Sequence, residues 1–154
     1  SNSIRKNFFM ILIFILNIGF VYVEINIDFV SNISRFFDCL GSFYDKKGDY
    51  DKALEYYEKS YMVRKKIYAN NLNHPDIAES LTNIGLVYYE KGDYDKALEY
   101  YEKSYELYRK VNADNPNHPD IAKCLNNIAS VYDKKGDYDK ALEYYEKSYE
   151  IYEK

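Results

Sequence analysis

The chain has 154 residues and a formal net charge of −4, from 21 Lys and Arg against 25 Asp and Glu. This length suits one domain, and the lack of a basic excess argues against nucleic-acid binding, because Lys and Arg would have to replace phosphate counterions. Two cysteines, Cys39 and Cys124, are too few for a disulfide scaffold, and 30% charged residues exclude a wholly membrane-embedded protein.

Residues 1–30 differ in composition from the rest of the chain. All eight Phe lie at or before Phe43, and residues 1–30 hold only four charges, whereas 40 of the 111 residues from Tyr44 onward are charged. Within this segment, residues 8–23 contain 14 apolar residues of 16. As a helix they would span about 24 Å, which is short of the roughly 30 Å hydrocarbon core of a bilayer.

Three interpretations of residues 8–23 remain open. The first is a membrane anchor or uncleaved signal, since a basic pair precedes the apolar run and no small-x-small cleavage site follows it. The second is an apolar helix packed on the first repeat, and the third is an artefactual extension of the gene model. Residues 24–29 alternate with period two, which predicts a strand. The chain begins with serine rather than methionine, which is compatible with a fragment or a processed product.

The remaining sequence consists of internal repeats with a period of 44 residues. The block GDYDKALEYYEKSY occurs at 48–61, 92–105 and 136–149, with identity at all fourteen positions. Residues 71–91 also align, more loosely, with residues 115–135. Each unit predicts two amphipathic helices, which cannot bury their apolar faces alone. Stacking of such pairs buries those faces and produces a solenoid.

The second repeat shows why each unit predicts a helix pair. Ile77 begins an apolar stripe at three- and four-residue steps, and Pro75 fits the first helical position, where its missing N–H costs nothing. Gly92 predicts a left-handed residue after the first helix. Asp93 predicts the N-cap of the second helix. The same pattern recurs 44 residues later.

These residues resemble the tetratricopeptide repeat. The spacing that carries the resemblance is that of Leu81, Gly85, Tyr88, Gly92, Tyr94, Ala97, Tyr101 and Ser104. The 44-residue period and the N-H-P-D-I-A start are similar to the long repeats of kinesin light chain and related proteins. The resemblance implies an all-α fold, a right-handed α-solenoid of about three helix-turn-helix repeats with an apolar N-terminal segment.

The resemblance divides the chain into an apolar segment at 1–30, a degenerate first repeat at 31–70, a second repeat at 74–112 and a third at 118–154. The first repeat keeps the spacing but lacks the N-H-P-D-I-A start. The predicted structural signature of the repeats comprises Gly41, Tyr44, Gly48, Ala53, Gly85, Tyr88, Gly92, Ala97, Ala129, Tyr132, Gly136 and Ala141.

The resemblance also implies a non-enzymatic interaction scaffold that binds an extended peptide along its inner face, which the first helix of each repeat lines. In relatives, asparagines at the places of Asn83 and Asn127 hold the peptide backbone, since an amide both donates and accepts hydrogen bonds. The alternatives are a capping or surface role for these asparagines and plain inter-repeat packing for the other residues. The predicted peptide-binding residues are Asn83, Asn127, Asn126, Glu79, Leu86, Tyr89, Lys123 and Ser130.

Catalytic and metal-binding chemistry is not indicated. His74 and His118 occupy equivalent loop positions without a ligand cluster around them, so we expect a local role at the helix start. No nucleophile–base pair or phosphate loop is present, and we expect no cofactor. A clamp for a C-terminal carboxylate is not expected either. Such a clamp needs Lys and Asn at set groove positions in adjacent repeats, and Asp38, Thr82 and Leu86 depart from that pattern.

Three other functions remain open: a membrane-tethered adaptor, a self-associating structural array, and an accessory repeat region of a larger protein. We expect a protein or peptide partner and a cytoplasmic location, with membrane anchoring through residues 8–23 as the alternative. No capping helix follows the last repeat, so Tyr138, Tyr145 and Tyr149 would stay open on one edge. We therefore expect further repeats in the full gene product or pairing through that edge.

Overall fold

The computed structural model describes residues 9–14, 20–25 and 27–153, and three helix pairs make up most of this part of the chain. Their bounds are α1 (Ile27–Lys46), α2 (Tyr50–Ile67), α3 (Pro75–Glu90), α4 (Tyr94–Val111), α5 (Pro119–Lys135) and α6 (Tyr138–Tyr152). Each helix packs most extensively on the other helix of its pair, and the contacts α2–α3 and α4–α5 join successive pairs. The first helix of the array begins at Ile27.

Local sequence signals set the helix ends. The side chains of Asp49, Asp93 and Asp137 cap α2, α4 and α6 by accepting hydrogen bonds from backbone N–H groups three residues later. Gly92 has the left-handed conformation that its position predicts, with φ of +79°, and Gly48 shares that conformation. The same helix caps therefore recur every 44 residues in the structure.

The core lies where the two helices of a pair approach closely and where the next pair covers them. Ala53 and Ala97 are fully buried, and Tyr57 and Tyr101 are nearly so. A Cβ atom added to Gly85 would come within 2.8 Å of the Tyr101 ring. Small residues thus make room for a large ring from the second helix, as the repeat pattern predicts.

The N-terminal segment forms two antiparallel strands, β1 (Phe9–Phe14) and β2 (Phe20–Ile25), with Phe9 opposite Ile25 and Phe14 opposite Phe20. A helix is one of the conformations considered for residues 8–23, and these two stretches form strands instead. Runs of Ile, Val and Phe favour strands as strongly as they favour an apolar helix.

The strand predicted over 24–29 ends at Ile25, and α1 already begins at Ile27. Asp28 lies in the first turn of that helix, where a carboxylate is favourable. The rest of the 8–23 segment, including Asn17 and Gly19, lies outside the described residues. None of the helices in the described ranges is both long enough and apolar enough to cross a bilayer.

Candidate functional site

The first helices of the three pairs line three adjoining cavities, and we call this surface, made by α1, α3 and α5, the first-helix face. A cavity of about 460 Å³ lies between α1 and α3, and one of about 300 Å³ lies between α3 and α5. Asn83 lines both of them. A third cavity, of about 340 Å³, shares Asp38 with the first and Asp76 with the second. Each of the three cavities therefore shares wall residues with the other two.

The predicted binding residues separate into two groups on this face. Asn83, Glu79 and Lys123 lie together in the walls of the 300 Å³ cavity. The other five do not line any of the three cavities, as far as the described residues show. These five are Leu86, Tyr89, Asn126, Asn127 and Ser130.

The five residues outside the cavities lie further along α3 and α5. Asn126 and Asn127 are half-buried, and Leu86 is exposed. The Ser130 hydroxyl is within hydrogen-bond distance of the Asn126 carbonyl, at 2.9 Å, and of the Tyr145 hydroxyl on α6, at 3.1 Å. Ser130 thus has local partners within its own repeat.

Tyr89 contacts its own helix pair. Its ring is tilted against that of Tyr94, with 5.8 Å between the ring centroids. Burial raises the pKa of Tyr89 above the usual range of a tyrosine. This environment is that of a packing residue with an accessible edge.

Carboxylates predominate in the 300 Å³ cavity. Asp76, Glu79 and Asp120 contribute acidic groups to its wall, against the single ammonium group of Lys123 among the lining residues. One oxygen of Asp76 accepts a 2.7 Å hydrogen bond from the Tyr68 hydroxyl. The cavity therefore favours a cationic or hydrogen-bond-donating group.

A buried arginine that the sequence analysis missed supports one wall of the face. Arg64 of α2 is 5% exposed and reaches between α1 and α3. Its guanidinium forms ion pairs with Asp38, at 2.7 Å, and with Glu79, at 3.2 Å. It also donates to the Ser80 hydroxyl, at 2.8 Å, and to the Asp76 carbonyl, at 3.0 Å. The orientation of Glu79 thus depends on a residue from another repeat.

The arginine cluster is polar and largely removed from water. Burial raises the pKa of Asp38, although the positive charge of Arg64 acts in the opposite direction. One carboxylate oxygen of Asp38, the Ser60 hydroxyl and the Arg64 Nε are buried, and none of them has a hydrogen-bond partner in the described part of the chain. A buried polar group without a hydrogen-bond partner costs free energy, because its lost hydration is not replaced.

The aligned repeats contain the signal that could have found this cluster. Arg64 occupies the position of Tyr108 and Tyr152, and Asp38 occupies the position of Thr82. Arg64 and Asp38 thus carry opposite charges at two positions where the aligned repeats have uncharged residues, which indicates an ion pair.

Both histidines have the predicted local role at a helix start. Nδ1 of His74 accepts a hydrogen bond from the backbone N–H of Asp76, at 3.2 Å, and His118 does the same with Asp120. Burial lowers the pKa of His74. Within the described ranges, no three His, Cys, Asp or Glu side chains are placed to hold a metal ion.

The two cysteines differ in environment. Cys39 is exposed and lines two of the cavities on the first-helix face. Cys124 is buried beside the Ser104 hydroxyl, and burial raises the pKa of its thiol to about 11. A thiol with so high a pKa is unreactive near neutral pH.

Two larger grooves lie apart from the three cavities, where the second helices α2 and α4 meet the loops that follow them. We call them the second-helix grooves. They have volumes of about 710 and 730 Å³ and repeat with the 44-residue period. Asn73 lines one and Asn117 lines the other. Long Lys and Glu side chains border both grooves. Any test of the first-helix face must therefore separate it from these grooves.

Comparison with known proteins identifies the fold. The tetratricopeptide repeat profile matches residues 33–110 and 111–154. The chain belongs to the tetratricopeptide repeat family. The predicted α-solenoid is confirmed for this repeat protein. A search among curated proteins found no match.

Solved tetratricopeptide repeat structures share this architecture. The TPR2AB domain of yeast Sti1, in a complex named with pHSP90, is 28% identical, with a TM-score of 0.64 over 78% of this chain and 41% of that one. A putative kinesin light chain from Podospora anserina with nearly identical repeats is 23% identical, with a TM-score of 0.65 over 81% and 57%. The predicted likeness to kinesin-light-chain repeats is thereby confirmed.

A third similar structure is the Rap conjugation gene regulator of plasmid pLS20 in complex with the Phr* peptide. It is 24% identical, with a TM-score of 0.65 over 77% of this chain and 31% of that one. This tetratricopeptide repeat chain therefore spans less than two thirds of each of these three structures.

Proposed function

We propose that the chain is a non-enzymatic interaction scaffold that holds an extended peptide along the first-helix face. The observation that carries this proposal is the set of three adjoining cavities on α1, α3 and α5, with Asn83 in the wall of two of them. Adjoining cavities on three helices suit a segment that crosses several helices. It does not suit a single enclosed small molecule.

Backbone hydrogen bonding is the proposed mechanism. Asn83 and Asn127 occur one period apart on α3 and α5, and both are half-buried. Partial burial restricts the side chain before a ligand arrives, so less entropy is lost on binding. Each amide can donate to a peptide carbonyl and accept from a peptide N–H. Asn126 lies beside the second amide and extends this polar row.

The surrounding side chains would set specificity. Glu79 of α3 and Lys123 of α5 both line the 300 Å³ cavity, whose wall is predominantly acidic. A peptide with a Lys or Arg side chain at this point would meet complementary charge. Leu86 and Tyr89 would contact apolar side chains further along the peptide, with Ser130 at the edge.

Two of the similar structures support this assignment. The yeast Sti1 domain is in a complex named with pHSP90, and the Rap regulator is in a complex with the Phr* peptide. We do not propose the Sti1 partner for this chain, because Asp38, Thr82 and Leu86 depart from the Lys and Asn pattern of a clamp for a C-terminal carboxylate.

The test is selection of peptides from a random display library on the full chain, followed by affinity measurement. Asn83→Ala with Asn127→Ala should weaken selected peptides by about 10- to 100-fold, because each lost hydrogen bond contributes about 1 kcal/mol or more. The matched control is Asn73→Ala with Asn117→Ala. This exposed pair has the same 44-residue spacing but lines the second-helix grooves.

The control pair decides where the peptide lies. Peptides that tolerate the control variant and lose affinity for the Asn83 and Asn127 variant support the first-helix face. The opposite pattern would move binding to the second-helix grooves. Failure to select any peptide on the folded chain would refute the proposal.

A further inference from the structure

The last helix, α6, exposes a face that its counterpart in the previous repeat, α4, partly buries. Tyr138, Leu142 and Tyr149 are 68%, 58% and 63% exposed. Their counterparts in α4 pack against the cluster of α5 that contains Ile128 and Val131. The sequence is the same at both places, and only the covering helix differs. The counterparts in α4 are Tyr94, Leu98 and Tyr105.

The first helix, α1, exposes the complementary kind of face. Phe29, Phe36 and Phe43 are 63%, 60% and 54% exposed, and their seven-residue spacing places them on one side of the helix. At the positions of Phe36 and Phe43, α3 and α5 carry residues that are fully buried. These residues are Ser80 and Val87 in α3, and Cys124 and Val131 in α5.

Each of these buried counterparts belongs to a first helix that packs on the preceding second helix. Val87 clusters with Leu54 and Tyr57 of α2, and Val131 clusters with Tyr101 of α4. The exposed side of α1 is therefore the side on which a second helix packs elsewhere in the array. The exposed side of α6 is the side on which a first helix packs.

Ion pairs follow the same rule between repeats. Lys91 at the end of α3 bonds Asp51 at the start of α2, at 2.5 Å, and Lys135 at the end of α5 bonds Asp95 at the start of α4. Each pair thus links the end of a first helix to the start of the preceding second helix.

The positions one period before and after these ion pairs hold one member each. Lys47 is equivalent to Lys91 and Lys135, and Asp139 is equivalent to Asp51 and Asp95. Lys47 follows α1, and its ammonium lies over the Phe43 ring, 5.1 Å from the centroid. Asp139 lies exposed in the first turn of α6, and no residue of the described part of the chain forms an ion pair with it. The two ends therefore match in charge as well as in apolar character.

We propose that copies of this chain associate head to tail, with α6 of one copy packed on α1 of the next as α4 packs on α5. Leu142 and the α6 tyrosines cover Phe36 and Phe43, and Asp139 of one copy pairs with Lys47 of its neighbour. Such a contact joins different surfaces and does not close on itself as a twofold dimer does. Stacking of this kind also extends the first-helix face from copy to copy.

The test is the mass of the full 154-residue chain by sedimentation equilibrium over a range of concentrations. The wild type should rise above the 18.3 kDa of one copy and continue beyond two copies. Phe36→Glu and Leu142→Glu each place a charge in the apolar contact and should weaken association at least about 100-fold. Both sites are exposed in the single chain, so helicity by circular dichroism should not change.

Mixing the two variants provides the sharpest result. The Phe36→Glu chain keeps a competent α6 and the Leu142→Glu chain keeps a competent α1. Each alone should be monomeric, and an equimolar mixture should stop at two copies. The matched control is Met62→Glu, an exposed apolar residue of α2 away from both end faces, which should associate like the wild type.

Several outcomes would overturn this proposal. The first is a wild type that stays at one copy at every concentration. The second is dimer formation by the Phe36→Glu chain alone, which would mean that α6 pairs with α6. The third is an equimolar mixture of the two variants that stays monomeric. A Phe36→Glu, Leu142→Glu double variant that still assembles would also overturn it, because association would then use another surface.

Charge reversal tests the ion pair separately. Asp139→Lys or Lys47→Asp should weaken association by roughly fivefold, as expected for an exposed pair, and the double reversal should restore it. Equal weakening by the single and double variants would overturn this pairing.

Discussion

The contact between α2 and α3 and the contact between α4 and α5 bury different residues at one position of the second helix. The first contact contains Arg64, with ion pairs to Asp38 and Glu79. The second contains Tyr108, which packs in an apolar cluster with Ile121. The blocks 48–61 and 92–105, which precede these two positions, are identical. The exchange of arginine for tyrosine therefore accompanies a change from a polar to an apolar inter-repeat contact.

This difference shows how identical blocks can present unequal surfaces. The arginine needs acceptors, and Asp38 and the Ser80 hydroxyl supply them from the two neighbouring first helices. In the tyrosine contact the equivalent position of α5 is the apolar, buried Cys124. Glu79 on the first-helix face is thus held by an ion pair with the buried Arg64.

The largest expected effect comes from removing the arginine. Arg64→Ala should lower the free energy of unfolding by about 3 to 5 kcal/mol, because it leaves the partly buried Asp38 carboxylate without its partner. Urea unfolding measures this. Arg64→Tyr combined with Asp38→Thr introduces the residues of the second repeat at both positions and should lose less than half as much. A loss below about 1 kcal/mol for Arg64→Ala would contradict this account.

A smaller effect is expected where a glycine faces a ring. Gly85→Ala should destabilise the fold by about 1 to 3 kcal/mol, because the new Cβ would overlap the Tyr101 ring. Thermal or urea unfolding of the single variants and of Gly85→Ala with Tyr101→Leu completes a double-mutant cycle. Coupling between the two sites is expected, and strictly additive losses would count against the ring contact.

The serine that follows in each second helix offers a matched comparison between repeats. Ser104 donates a 2.8 Å hydrogen bond to the Ala78 carbonyl, and Ser148 donates an equivalent bond to Ala122. Ser104→Ala and Ser148→Ala should each cost about 1 kcal/mol in urea unfolding. The buried Ser60 hydroxyl has no hydrogen-bond partner among residues 27–153, so Ser60→Ala should cost less. Equal losses at all three positions would remove the distinction between the repeats.

The smallest expected effect is a pH dependence at the start of α3. His74 caps this helix through a neutral Nδ1 and stacks on Tyr68, with 3.5 Å between the ring centroids. Because burial lowers its pKa in the folded chain, the unfolded chain binds more protons just below pH 6.5. Stability should therefore fall as the pH drops from about 6.5 through the lowered value.

Unfolding curves at pH 7 and pH 5 measure this dependence against a non-titrating cap. His74→Asn keeps a capping side chain and should flatten the change by a few tenths of a kcal/mol. The same pH dependence in wild type and variant would show that the histidine does not contribute.

The sequence predicts the repeats well because strong local signals recur with a fixed period. Gly92, Asp93 and Pro75 each mark a helix end by their own chemistry, and the 44-residue repetition confirms each signal. The strands at the N-terminus escaped prediction because a run of Ile, Val and Phe without period or caps is compatible with either helix or strand.

The candidate site was only partly predictable. Glu79, Asn83 and Lys123 meet in one cavity because they share one side of neighbouring first helices, which helical spacing predicts. Arg64 reaches the same region from a second helix, and Cys39 lines the cavities from the degenerate repeat. Such contacts depend on how far a side chain extends between helices. The apolar periodicity of one helix does not predict that distance.

The proposed peptide binding uses the asparagine side chains of the first-helix face. The most direct measurement is a titration of a selected peptide into isotopically labelled chain, observed through the side-chain amide resonances of Asn83, Asn127, Asn73 and Asn117. We expect the resonances of Asn83 and Asn127 to shift and saturate with the peptide while those of Asn73 and Asn117 stay in place. Saturation of binding without movement of the Asn83 and Asn127 resonances would contradict it.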